Sequence, residues 1–142
     1  MQPLIALIAG ILGARVAGLA GVAALDGWQP ALRTGVALMF LLTTSAHFVP
    51  RLRAGLVAMV PPSLPGAGLL VTVTGVLEFA GAVGILVPAT APWAALGLIL
   101  MMILMFPANV SAARRRVAGA TPLGLRTVLQ LVFIAAAAAA VG

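Results

Sequence analysis

The chain has 142 residues, of which 63% are hydrophobic and 7% charged, with a formal net charge of +6 and a mean hydropathy of +1.25. Soluble domains carry about 25% charged residues, so there is too little polar surface here to cover a globule in water. A secreted domain, a nucleic-acid-binding module and a disordered tail are excluded, and the composition is that of one integral membrane domain over residues 1–142.

The first apolar run covers 3–25. It lacks a basic leading segment and is too long for the core of a signal peptide, so it predicts a membrane-spanning helix. Small residues recur in it every fourth position, Ala6, Gly10, Ala14 and Gly18 on one row and Ala9, Gly13, Ala17 and Gly21 on the next. Such rows let two helix backbones approach closely in lipid. Asp26 to Pro30 form a short loop with Trp28 at headgroup level. A second helix follows over 31–49 and stops at Pro50. Residues 51–60 are too short to span, since ten residues rise only about 15 Å. Leu52, Leu56, Met59 and Val60 share one face, and Arg51 and Arg53 are placed to snorkel toward water. This predicts a short interfacial helix closed by Pro61, Pro62 and Pro65. Further spans are predicted over 67–87, 92–112 and 123–141, with a basic loop at Arg114, Arg115 and Arg116. The fold class is thus an all-α, polytopic membrane helix bundle of five spans plus one interfacial helix.

All eight basic residues are Arg, and Asp26 and Glu78 are the only acids. Arg51, Arg53 and the 114–116 triplet fall on one side of a five-span chain, whereas Arg33 on the other is balanced by Asp26. The positive-inside rule places the N-terminus in the cytoplasm and the C-terminus outside, in the inner (plasma) membrane. Cys is absent, which removes disulfides, thiol nucleophiles and thiolate metal sites. One His with two acids builds no His-rich metal site.

Ionisable groups inside spans mark functional candidates, because each costs about 2.5–3.5 kcal/mol at a helix centre. Counted from the starts of their runs, Arg15 and Glu78 stand about 18 Å and 16 Å deep. Matched depth predicts a buried ion pair between the first and third spans. His47 and Asn109 share a level near the cytoplasmic ends of their helices, with Glu78 about 10 Å deeper by helix rise. Thr74 precedes Glu78 by one turn, and Gln130 follows Arg126 by one turn. The six candidates for ligand binding are therefore Glu78, Arg15, His47, Asn109, Thr74 and Gln130, placed to line one polar pocket. Pro107 cannot donate to the carbonyl four residues before it and frees that group.

Four segments carry a family resemblance: TTSAHF at 43–48 with Pro50 and Arg51 behind it, MVPPSLP at 59–65, TGVLEFAGAVGILVP at 74–88, and FPANVSAA at 106–113. In this order, across 31–142, they resemble the DoxX-like bacterial membrane proteins. The resemblance implies a four-helix core, to which the first span is an N-terminal addition. It also implies an accessory subunit that binds a quinone or another lipophilic molecule for a membrane-associated oxidoreductase or oxidative-stress system. Membrane lipid is the expected partner, and nucleic acid is not. Two other functions compete: an acid/base enzyme of isomerase type on a membrane lipid, and a small proton-coupled exporter of lipophilic cations. The first needs Glu78 and His47 at a common cavity, which their difference in depth makes awkward. The second needs Glu78 free of Arg15.

Overall fold

The computed structural model describes residues 1–142. It is all-helical: α1 (Gln2–Leu19), a 3₁₀ turn (Ala23–Leu25), α2 (Trp28–Phe48), α3 (Pro50–Met59), α4 (Ala67–Leu86), α5 (Ala91–Arg114) and α6 (Leu123–Ala139). α2, α4, α5 and α6 form a ring in which α2 touches α4 and α6, and α5 touches the same two from the far side. α1 lies outside the ring against α2, and α3 bridges α2, α4 and α5 at one end. The arrangement is a ring of four helices with α1 packed outside it.

α1, α4 and α5 are each long and apolar enough to cross a membrane. α2 and α3 reach that standard only together, across a bend of 91°, and α6 is a shorter apolar helix. α2 reads as less apolar because Gln29, Arg33, Thr34, Thr43, Thr44 and His47 lie along it. As the helix with the most neighbours it can satisfy such groups internally, and Thr44 and His47 are buried. The outer surface is apolar nearly all round, with Leu19, Leu69, Trp93 and Leu104 among the most exposed side chains. A bundle with that surface suits a hydrocarbon solvent.

The first helix stops at Leu19, six residues short of the run's end at 25. Gly21 takes φ +114°, and the Val22 N–H reaches back to the Ala17 carbonyl at 3.0 Å. This closes the helix in the Schellman manner, for which a residue without a Cβ is suited. Residues after Gly21 are as apolar as those before it, so hydropathy does not register the stop. Of the two small-residue rows, only one packs: Gly10, Ala14 and Gly18 are buried, whereas Ala9, Gly13 and Gly21 are exposed. The partner is α2, not α4. A Cβ on Gly10 would stand 2.7 Å from the Gly35 Cα, so the two backbones cross in contact.

The shortened α1 also overturns the expected Arg15–Glu78 pair. Arg15 lies one turn from the end of α1, where its Nη1 is 3.5 Å from Asp26 Oδ1 and its guanidinium carbon is 4.8 Å from the centroid of the Trp28 ring. Equal depth along an axis did not make α1 and α4 neighbours, because α2 stands against both.

Arginines close several helix ends. Arg33 Nε donates to the Ala140 carbonyl at 3.0 Å and Gln29 Nε2 to that of Gly142 at 2.9 Å. Arg53 does not snorkel outward as expected. It turns inward and donates to the carbonyls of His47 (2.9 Å) and Gly68 (2.6 Å) and to the Thr72 hydroxyl (2.9 Å). The carbonyls at the end of α2 lack intrahelical partners once Pro50 interrupts the chain, and a guanidinium satisfies them better than a headgroup contact would. Arg115 donates to the carbonyls of Ala58, Met59 and Val60 at the far end of α3. α3 is thus held at both ends by guanidinium groups.

Candidate functional site

The apolar core and the polar groups occupy opposite halves of the ring. Val36, Met39, Ala82, Ile85, Ala95, Leu98 and Ala137 form the core toward the end where α6 finishes. Toward the basic end, each ring helix contributes polar side chains: Thr43, Thr44 and His47 from α2, Glu78 from α4, Asn109 from α5, and Arg126 and Gln130 from α6.

Glu78 is 6% exposed. Its Oε2 accepts from the Thr43 hydroxyl at 3.0 Å and from the Thr44 hydroxyl at 3.4 Å. His47, 3% exposed, brings Nδ1 to 3.6 Å from the same oxygen and 3.1 Å from the Thr43 carbonyl. A carbonyl can only accept, so Nδ1 carries the proton and donates to it. In the neutral ring Nε2 is then a bare acceptor, and it is buried with no hydrogen-bond partner. Such an atom is costly unless something supplies a donor.

This closeness corrects the expected difference in depth. A Cβ on Gly75 would sit 2.6 Å from the His47 Cβ, so the two helices are in contact one turn before Glu78. Gly75 is eight residues into α4, which means that α4 begins about 12 Å of helix rise beyond this contact. α3 and the 60–66 connection fill that space, and the two helices do not start level.

Two spaces flank the pair. A chamber of about 100 Å³ is lined by Thr43, Glu78, Asn109, Arg126 and Gln130, with Met and Phe side chains and Pro3 around them. By liquid volume that is room for about three waters. Arg126 Nη2 donates to Asn109 Oδ1 at 3.0 Å, and the guanidinium faces Glu78 from the opposite ring helix without a direct ion pair. The second space is a groove of about 1080 Å³ between α3, α4 and α5, lined almost wholly by apolar side chains from Leu56 and Met59 at one end to Val87 and Trp93 at the other. His47 is the one buried polar side chain on it.

Of the six candidates, Glu78, Asn109 and Gln130 share the chamber and His47 joins it to the groove. Arg15 is at the other end of the bundle. Thr74 lines the groove, but its hydroxyl donates back to its own helix at the carbonyls of Leu70 and Val71. Arg126, Thr43 and Thr44 belong to the site and were not among the six. Their signal was present: two adjacent Thr one turn before His47, and an Arg one turn before Gln130.

The helical ring thus carries a buried His–Glu pair between an apolar groove and a small polar chamber. The chain belongs to the family described as "Domain of unknown function (DUF8561)", whose model matches residues 36–141. That span takes in the ring from mid-α2 to the end of α6 and leaves α1 outside. No curated protein and no solved structure matches the chain.

Proposed function

We propose that this is a five-span protein of the inner (plasma) membrane that holds a lipophilic molecule of the quinone class in the α3–α4–α5 groove, as accessory subunit to a membrane-associated oxidoreductase or oxidative-stress system. The observation that carries the binding reading is the groove itself: about 1080 Å³, apolar along its length, with one buried imidazole on it. Ligand sites for lipophilic molecules combine such a wall with very few orienting polar groups. The four motifs that resemble the DoxX-like proteins support the oxidoreductase setting.

The five-span reading is supported by the alternation of α1, α2, α4, α5 and α6. Pro3 lines the chamber beside Arg126, whereas Gly142 meets Gln29 at the other end. Arg51, Arg53 and Arg114–Arg116 lie at the chamber's end, which the positive-inside rule makes cytoplasmic. The right-angled α3 then rests along that interface.

The test is a lipid inventory. Protein purified in mild detergent, extracted and analysed by mass spectrometry is expected to carry a prenylated quinone-class lipid enriched over the bulk membrane. Gly97 lines the groove with open space where a Cβ would go, so Gly97→Leu should obstruct the groove and deplete that lipid. Enrichment of nothing, or enrichment indifferent to Gly97→Leu, sinks the reading. A second reading, acid/base chemistry on a membrane lipid, is favoured by the 3.6 Å between His47 and Glu78, within reach of a shared proton through small motions. An exporter has less support, since Glu78 lines a chamber of about 100 Å³, too small for a lipophilic cation.

A further inference from the structure

We propose that the occupant of the groove has a hydroxyl head that donates a hydrogen bond to Nε2 of His47, so that the site is selective for the reduced, quinol-like form of such a lipid over the quinone. This rests on the groove reading above and narrows it to one chemistry. The argument is one of donors and acceptors. The Thr43 carbonyl at 3.1 Å and Glu78 Oε2 at 3.6 Å both converge on Nδ1. The carbonyl cannot donate, so the proton of a neutral imidazole is held at Nδ1 and Nε2 keeps its lone pair. That nitrogen has no partner in the protein. A quinone carbonyl, an ether or an ester presents only acceptors and would leave both atoms unpaired against each other. A quinol, phenol or long-chain alcohol supplies the missing donor.

The neighbourhood supports the same assignment. Around His47 the charged side chains are Glu78 on α4 and Arg53 on α3, whose Nη1 donates to the His47 carbonyl. Arg126 on α6 faces Glu78 across the chamber. Arg53 donates to two backbone carbonyls and the Thr72 hydroxyl and Arg126 to Asn109, so neither supplies a donor at Nε2. On the groove wall Thr74 donates to its own helix and Thr90 donates to the Gly84 carbonyl. On this wall His47 is thus the buried side chain left with an unpaired acceptor.

The full chain in phosphatidylcholine nanodiscs is titrated with three probes that share one decyl tail: a benzoquinol under reducing conditions, its dimethyl ether, and the benzoquinone. Apparent affinity is read from the ligand-dependent rise in thermal midpoint. The quinol is expected to bind about fivefold or more tightly than the other two, the size of one buried hydrogen bond gained against one left unmade. His47→Phe is expected to level the three probes, and Gly97→Leu to weaken all three together. Equal binding of all three probes to the unaltered protein, or preference for the quinone, overturns the hydroxyl-head assignment and leaves the groove reading standing. Failure of every probe to bind overturns both. The comparison on the unaltered chain decides the matter even if His47→Phe does not fold.

Discussion

Gly75 on α4 stands directly against His47 on α2, where an added Cβ would lie 2.6 Å from the His47 Cβ and 3.0 Å from its Cγ. The missing side chain lets the imidazole settle between the two helices and sets its distance to Glu78, one turn further along α4. Gly75→Ala gains helix propensity of up to about 1 kcal/mol, yet it must displace a packed ring at a cost of about 1–3 kcal/mol. The expected outcome is a net loss of stability, seen as a lower thermal midpoint in detergent. A midpoint that rises instead means that His47 can move aside freely.

His47 is the only histidine in the chain, so its ring nitrogens can be observed without assignment ambiguity. In protein labelled with ¹⁵N-histidine and stripped of lipid at neutral pH, Nδ1 is expected to show the shift of a protonated nitrogen and Nε2 that of a bare one. Glu78→Gln should leave this pattern in place, because the Thr43 carbonyl alone still demands a donor. Protonation at Nε2 instead would contradict the hydrogen-bond geometry.

Charge coupling separates the observed arrangement from the one expected by depth. Arg15 pairs with Asp26, which is 66% exposed, so Asp26→Asn should cost less than about 1 kcal/mol. Arg15→Leu and Glu78→Gln have no shared partners and their losses should add to within about 0.5 kcal/mol. Glu78 and Arg126 face one chamber, and there Glu78→Gln combined with Arg126→Gln should cost less than the sum of the single changes. Thermal unfolding of the two double-mutant cycles checks both statements. Strong coupling in the Arg15 cycle would contradict the structure.

Arg53 makes three hydrogen bonds that join α3 to the end of α2 and the start of α4. Bonds to a charged donor are worth about 1.5–3 kcal/mol each, so Arg53→Leu should release α3 while the ring persists. A spin label at the exposed Leu52 is expected to become mobile in that variant. Arg115→Ala removes bonds that are solvent-exposed and should have a smaller effect on the same label. Equal mobility in both variants would show that α3 is held by apolar contacts.

Orientation is open to a direct check. A reporter fused after Gly142 is expected to be active only outside the cytoplasm, and a cysteine introduced at the exposed Leu52 to react with a membrane-impermeant thiol reagent only after the cell is opened. Cytoplasmic activity of the C-terminal fusion would mean that one helix, with α6 the first suspect, does not cross.

Composition and the spacing of apolar runs were enough to call the all-helical class, the order of the elements, the short helix after Pro50 and most boundaries. The predicted segments at 67–87, 92–112 and 123–141 match Ala67–Leu86, Ala91–Arg114 and Leu123–Ala139 to within about two residues, the margin of any boundary assignment. These features are local. They follow from whether consecutive side chains tolerate hydrocarbon and from where Pro removes a backbone donor. The stop of α1 at Gly21 was equally local, but an apolar turn and an apolar helix have the same hydropathy, and only the backbone distinguishes them.

What only the tertiary structure decided is who stands beside whom. Depth along a helix can be counted from its start, and that count made Arg15 a partner for Glu78 and kept His47 apart from it. Both inferences failed for one reason: helix rise is a single coordinate, whereas contact also requires azimuth and neighbourhood. α2 faces α1 through Gly35 and α4 through His47, so Arg15 is directed to Asp26 and Glu78 to Thr43, Thr44 and His47. Arg126, which the sequence marks only as one turn before Gln130, becomes part of the chamber because α6 closes the ring. The groove has no sequence signature at all, since its wall is made of the same Leu, Val, Met and Ala that cover the rest of the surface. It exists because α3 turns by 91° and braces α4 and α5 at one end.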